Sequence, residues 1–147
     1  MAGDANTSCV FCKIARGELP AQLVLDEPHV LAFLDRSPVF HGHCLVVPRQ
    51  HVRTLPDVPR DLLEPLFSAA QRIATAVELG LGADGTFVAM NNKISQSVPH
   101  LHVHVVPRRK GDGLRGFFWP RVKYASDDEI QVLADKIRHA LSNAPST

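Results

Sequence analysis

The sequence predicts an α+β domain: an antiparallel sheet of about five strands with one main helix, a short N-terminal helix and an added C-terminal helix. Three observations lead there. Three short runs rich in Val and Leu, residues 22–26, 29–34 and 43–47, follow one another before any long helical pattern, which suits a strand meander and not a parallel crossover unit. One long stretch, residues 61–79, repeats its apolar side chains at spacings of three and four. Two more strand-like runs, 86–90 and 101–106, then precede a last helical stretch.

Taken in order, residues 10–16 form a short helix, ended by Gly17 and separated from the first strand by Pro20. Glu27-Pro28 divides the first strand from the second, and Ser37-Pro38 with Gly42 divides the second from the third. In the main helix Leu62, Leu66, Ala69, Ala70, Ile73 and Val77 share one face, and Gly80 is the expected stop. Ser126-Asp127-Asp128-Glu129 is a capping box that opens the final helix, residues 127–141. The expected organisation is a flexible N-terminus at 1–8, a single domain over 9–142 that includes the C-terminal helix, and a flexible tail at 143–147.

A chain of 147 residues builds one core comfortably and two with difficulty. Its 16 basic and 15 acidic side chains nearly cancel, which argues against nucleic acid or an anionic membrane surface as partner and leaves a small anionic ligand open. The N-terminus lacks the basic flank and apolar run of a signal peptide, and no apolar stretch approaches the roughly 20 residues of a membrane span. The expected location is the cytoplasm. In that reducing setting three cysteines make a poor disulfide framework, so the Cys9-x-x-Cys12 pair points to metal or redox chemistry. Cys44 reads as a small buried hydrophobe.

The densest chemistry lies in His100-Leu101-His102-Val103-His104-Val105-Val106. Strand side chains alternate faces, so the three imidazoles share one face while Leu101, Val103 and Val105 enter a core. Three readings compete: an exposed strand with incidental histidines, a catalytic zinc cage, and a neutral imidazole nucleophile flanked by groups that fix its tautomer and stabilise phosphate charge. The third accounts best for a row of like side chains.

This run, with the preceding Gln96-Ser97-Val98, resembles the histidine-triad family, whose pattern is His-φ-His-φ-His-φ-φ with φ apolar. Cys9-Val10-Phe11-Cys12-Lys13-Ile14, Gly17-Glu18-Leu19-Pro20, Ala32-Phe33-Leu34-Asp35 and the stretch from Gly42 to His51 are similar to other landmarks of that family, so the likeness covers roughly residues 9 to 108. The resemblance implies the family's antiparallel fold, a homodimer, and chemistry on a purine nucleotide. It implies His102 as nucleophile on the α-phosphate, with its second ring nitrogen held by the His100 carbonyl, and His104, Gln96 and Ser97 as donors to phosphate or leaving group. His43 would support His102 or His100, Asp35 would accept the ribose hydroxyls, Asn91 would reach the phosphate side, and Phe11, Ile14 and Leu19 would line an apolar base pocket.

Cys9 and Cys12 have the spacing that lets two thiolates reach one tetrahedral zinc, and His51 and His100 would complete a closed, structural Cys2His2 site of the kind some family members carry. No catalytic metal is required. The loop from Asn91 to Gln96 is shorter than in the adenosine phosphoramidase branch, which leaves the choice between Asn91 and Asn92 open. After Pro107 the segment 108–121 departs from the family and is the expected determinant of substrate choice, with Arg108, Arg109 and Lys110 either meeting a polyphosphate or forming a solvated turn. The leading expectation is hydrolysis of an adenosine 5′-monophosphate derivative, a P–N phosphoramidate or a dinucleoside polyphosphate. Phosphorolysis or nucleotide transfer is the alternative enzyme, and a nucleotide-sensing or protein-binding module is the alternative class. The homodimer also rests on Phe117, Phe118 and Trp119, more apolar surface than one core needs.

Overall fold

The computed structural model describes residues 8–115 and 120–144, and the chain divides into two units, Met1–Asp112 and Gly113–Thr147. In the first unit the elements are α1 (Val10–Ala15), β1 (Leu23–Asp26), β2 (Val30–Leu34), β3 (Cys44–Pro48), a 3-10 turn (Leu55–Asp57), α2 (Arg60–Leu81), β4 (Gly85–Ala89) and β5 (Val103–Arg108). The second holds α3 (Asp127–Asn143). Phe117, Phe118 and Trp119 lie outside the described residues.

The five strands form one sheet in the order β1-β2-β3-β5-β4, every neighbouring pair antiparallel. Alternation gives the sheet two apolar faces. On one, Val30, Ala32, Cys44, Val46, Val103 and Val105 pack against the α2 stripe of Leu62, Leu66, Ala69, Ala70, Ile73 and Val77. Each fully buried Leu, Ile or Val there contributes about 1.5–3 kcal/mol, so this layer holds the sheet rigid. On the other face Leu31, Phe33, Leu45 and Val47 meet Cys9, Phe11 and Cys12 of the N-terminal segment.

Several ends differ from expectation by one to two residues, and two of them have a visible cause. Helix α2 runs through Gly80 and stops at Gly82, which takes the left-handed conformation (φ 64°) that ends helices. Arg109 seals this end by donating to the carbonyls of Leu81 (2.6 Å) and Gly82 (2.7 Å). Strand β5 starts at Val103, two residues late, because the Leu101 N–H is taken by the Val52 carbonyl (2.7 Å) before the ladder begins. The entry to β3 is equally constrained. Gly42 has φ 100°, and a Cβ there would run into Leu81 of α2.

In the second unit the Ser126 hydroxyl accepts from the Glu129 N–H (3.2 Å), the N-cap expected for α3. Its Ile130, Val132, Leu133, Ile137 and Leu141 are exposed. No helix among the described residues is long and apolar enough to cross a membrane.

Candidate active site and metal centre

The alternation predicted for the histidine run persists ahead of the strand: Leu101 and Val103 are fully buried on the α2 side, while His100, His102 and His104 lie on the other face. Each imidazole has its own partner. His102 Nδ1 lies 2.7 Å from the His100 carbonyl, which can only accept, so Nδ1 carries the proton and Nε2 keeps its lone pair. His104 Nδ1 lies 2.9 Å from His43 Nε2, and His43 Nδ1 accepts the Val39 N–H at 3.1 Å. Since His43 accepts at Nδ1, its proton sits on Nε2 and is donated to His104 Nδ1, which leaves His104 with an N–H at Nε2. A lone pair on His102 and a donor on His104 therefore stand side by side, their rings 5.0 Å apart.

Burial sets the charge of these rings. It pushes His104 down to about 4, with the neighbouring His102 and His43 lowering it further and Asp35 opposing. Burial lowers His43 as well, against the pull of Asp35.

His102 and His104 open onto a cleft of about 220 Å³, lined also by Phe11, Ile14, Phe33, Asp35, Ser97 and Val98. Phe11 meets the His102 ring edge-on at 5.1 Å and Phe33 at 5.4 Å, so one end of the cleft is aromatic. Asp35 stands at the strand exit. Its Oδ1 accepts the Ser37 N–H (2.8 Å), and Oδ2 is 3.7 Å from His43 Nε2.

Several expected residues are placed elsewhere. Leu19 is exposed and does not line the cleft, where Pro20 and Ala21 stand instead. The Gln96 amide is engaged by the Lys93 N–H (2.8 Å) and the Arg53 carbonyl (2.6 Å), and Asn91 donates to the Ser95 carbonyl (3.2 Å). Asn92 Oδ1 accepts the Leu55 N–H. His43 supports His104, and not His102 or His100. Arg108 is bound by Asp112 through two hydrogen bonds and Arg109 donates to the end of α2, while Arg109 and Lys110 are exposed in the turn that closes from Asp112 N–H to the Arg109 carbonyl. Phe33, Leu34, Arg36 and Leu45 also form the cleft wall, and the legible signal for Phe33 is that it shares a strand face with Asp35 at a spacing of two.

His100 turns the opposite way. Its Nε2 donates to the Pro48 carbonyl (2.8 Å), so Nδ1 is unprotonated and faces Cys9 Sγ (3.5 Å), Cys12 Sγ (3.5 Å) and His51 Nδ1 (3.2 Å), with Cys12 Sγ 3.3 Å from His51 Nδ1. All four ligand atoms lie within 4.8 Å of one another. Tetrahedral zinc with bonds of about 2.3 Å to sulfur and 2.0–2.1 Å to nitrogen would separate its ligands by about 3.3–3.8 Å. The two thiols and two imidazole lone pairs therefore fit a closed metal site in both chemistry and spacing.

The family to which this geometry belongs is decided by the HIT domain, which matches residues 16–111 of the chain. The chain belongs to the HIT family. The Hit protein of Bacillus subtilis is 34% identical to this HIT protein over 140 residues, covering 93% of this chain and 97% of that one. The adenosine 5′-monophosphoramidase of Saccharomyces cerevisiae is 37% identical over 106 residues (71% of this chain, 65% of that one), and an adenylylsulfatase of Arabidopsis thaliana 32% over 147 residues (95% and 73%). Among solved structures, a HIT family member from Bacillus subtilis superposes with a TM-score of 0.83 at 34% identity (95% and 99% covered). A zinc-bound histidine triad protein from Mycobacterium smegmatis gives 0.70 at 36% identity (93% and 98%).

Proposed function

We propose that this HIT protein is a nucleotide hydrolase or nucleotidyltransferase acting at the α-phosphate of adenosine 5′-monophosphate derivatives, with His102 as nucleophile. The observation that carries this reading is the 2.7 Å contact from His102 Nδ1 to the His100 carbonyl, which leaves Nε2 as an unprotonated nitrogen at the cleft. Nε2 attacks phosphorus, the P–Nε2 bond forms, and the bond to the leaving group breaks with its electron pair going to that group. The His104 N–H stabilises the negative charge that builds on phosphate oxygen. Ser97 hands a proton to an amine leaving group. In the second step water, or another acceptor, attacks phosphorus and the P–Nε2 bond breaks to free His102; the attacking group's proton restores Ser97 after an amine has left and goes to solvent after a polyphosphate has left. Phe11 and Ile14 take the purine and Asp35 the ribose; the apolar slot specifies the base weakly because it offers few hydrogen bonds to ring edges. An adenosine 5′-monophosphoramidase and an adenylylsulfatase among the relatives support the substrate class.

Zinc held by Cys9, Cys12, His51 and His100 is structural in this reading, since four protein ligands leave no open position. The protein acts in the cytoplasm.

The test is trapping the intermediate. Peptide mass spectrometry after rapid quenching of a turnover mixture is expected to find one adenylyl group on His102, and His102→Ala to abolish both it and turnover. Ser97→Ala should lose roughly 10²-fold in kcat/KM for a phosphoramidate and much less for a dinucleoside polyphosphate, whose leaving group is already a stabilised anion. Near wild-type turnover in His102→Ala would overturn the assignment.

A further inference from the structure

We infer that the groove beside the loop of residues 91–99 is the subsite for an anionic polyphosphate leaving group, held by Arg53 and Lys93. The inference rests on the reading of the cleft as a nucleotidyl-transfer site. The groove, about 540 Å³, is lined by Arg53, Thr54, Asp57, Lys93, Gln96 and Pro99. Ser97 and Val98 line the nucleoside cleft. Residues 96–99 are thus the wall between the two cavities, with Gln96 and Pro99 on one side and Ser97 and Val98 on the other. Consecutive Cα atoms are about 3.8 Å apart, so a group leaving phosphorus past Ser97 enters the groove within a residue's length.

The groove is built by the fold. Lys93 (φ 70°) and Ser95 (φ 59°) both hold the left-handed conformation that side-chain-bearing residues rarely adopt. Gln96 braces them: its carbonyl oxygen accepts the Lys93 N–H, and its amide donates to the Arg53 carbonyl, tying the backbones of both cations to one side chain. Asn92 fastens the same loop to the Leu55 N–H. One carboxylate lines the groove, and Asp57 Oδ2 is held at its edge by the Thr54 N–H (3.2 Å) and hydroxyl (2.5 Å). No carboxylate pairs with the side chain of Arg53 or Lys93 among the described residues, whereas Arg108 and Arg109 are consumed by Asp112 and α2. Two cations against one carboxylate leave the groove net positive, which suits a chain of phosphates and offers nothing to ammonia.

The test uses the intact protein and the double substitution Arg53→Gln with Lys93→Gln, which removes both charges, keeps polar side chains and adds no backbone strain. The ratio of kcat/KM for diadenosine tetraphosphate to that for adenosine 5′-phosphoramidate should fall about tenfold at low ionic strength, and the wild-type ratio should itself fall as salt is added. An unchanged ratio in the double variant overturns the subsite. A second measurement needs no turnover: inorganic tripolyphosphate titrated into wild-type protein should shift the backbone amides of residues 91–99 saturably, and the double variant should lose this. Absence of saturable shifts, or equal shifts in the variant, overturns the groove as an anion site. Tripolyphosphate binding without turnover of either nucleotide would instead overturn the nucleotidyl-transfer reading while leaving the groove standing.

Discussion

An imidazole can accept a hydrogen bond at one nitrogen only by having no proton there, and this fixes the direction of the His43–His104 pair. The Val39 N–H sets His43, His43 sets His104, and His104 presents its remaining N–H beside the nucleophile. His43→Ala removes the donor that holds His104 in this tautomer. We expect a loss of kcat/KM on the order of 10²-fold, with adenylyl-His102 still formed but more slowly, measured by single-turnover kinetics; unaltered rates would show that His43 only fills space. Burial also makes His104 a reporter of pH. Its folded pKa, about 4, lies below the unfolded value of 6.5, so folding favours the neutral ring. Its contribution to stability is complete above about pH 6.5 and is lost as pH falls toward 4. Thermal unfolding should therefore shift to lower temperature from pH 7 to pH 5, and shift less in His104→Gln; equal shifts would refute the assignment. The family resemblance puts His43 beside His102 or His100. Its real partner is 61 residues away and is set by the register Leu45↔His104, which exists only once β3 and β5 pair.

Helix α1 has six residues, too few to persist on its own. It is held by Phe11, wedged against Phe33 and His102, and by the convergence of Cys9 and Cys12 on His51 and His100. We expect about one zinc per chain by elemental analysis of freshly purified protein, and Cys12→Ser to lose both the metal and a substantial part of thermal stability. Metal-free wild-type protein, together with an unchanged variant, would discard the site. Because Phe11 also lines the cleft, the same substitution should raise KM for nucleotide. The main helix was legible in its buried face, since a three-and-four repeat has one geometric meaning. Its end was not, because a glycine marks a stop only where the backbone turns left-handed, and Gly82 does so where Gly80 stays helical. Gln96 shows the other limit: an amide three positions before a proline and beside a serine gives no sign that the fold will spend it on Lys93 and Arg53.

The whole sheet works as a partition, with α2 on one face and the chemistry on the other. The extent of the domain, 9–142, and the homodimer are proposals at this scale. The exposed apolar side chains of α3, Ile130, Val132, Leu133, Ile137 and Leu141, are more than a helix of one solvated monomer needs. Light scattering at micromolar concentration is expected to return twice the mass of the chain; a monomer would remove the homodimer and leave those side chains to a different cover. The partition also governs how this protein tolerates mutation. From His100 to Val105 the odd positions belong to the helix-backed core and the even ones to metal and phosphate chemistry, so a substitution in either set damages one role and spares the other. A single-residue insertion or deletion in this stretch has no such mercy: it exchanges the two sets, pushes imidazoles into hydrocarbon and aliphatics into the cleft, and loses fold, metal and catalysis in one step.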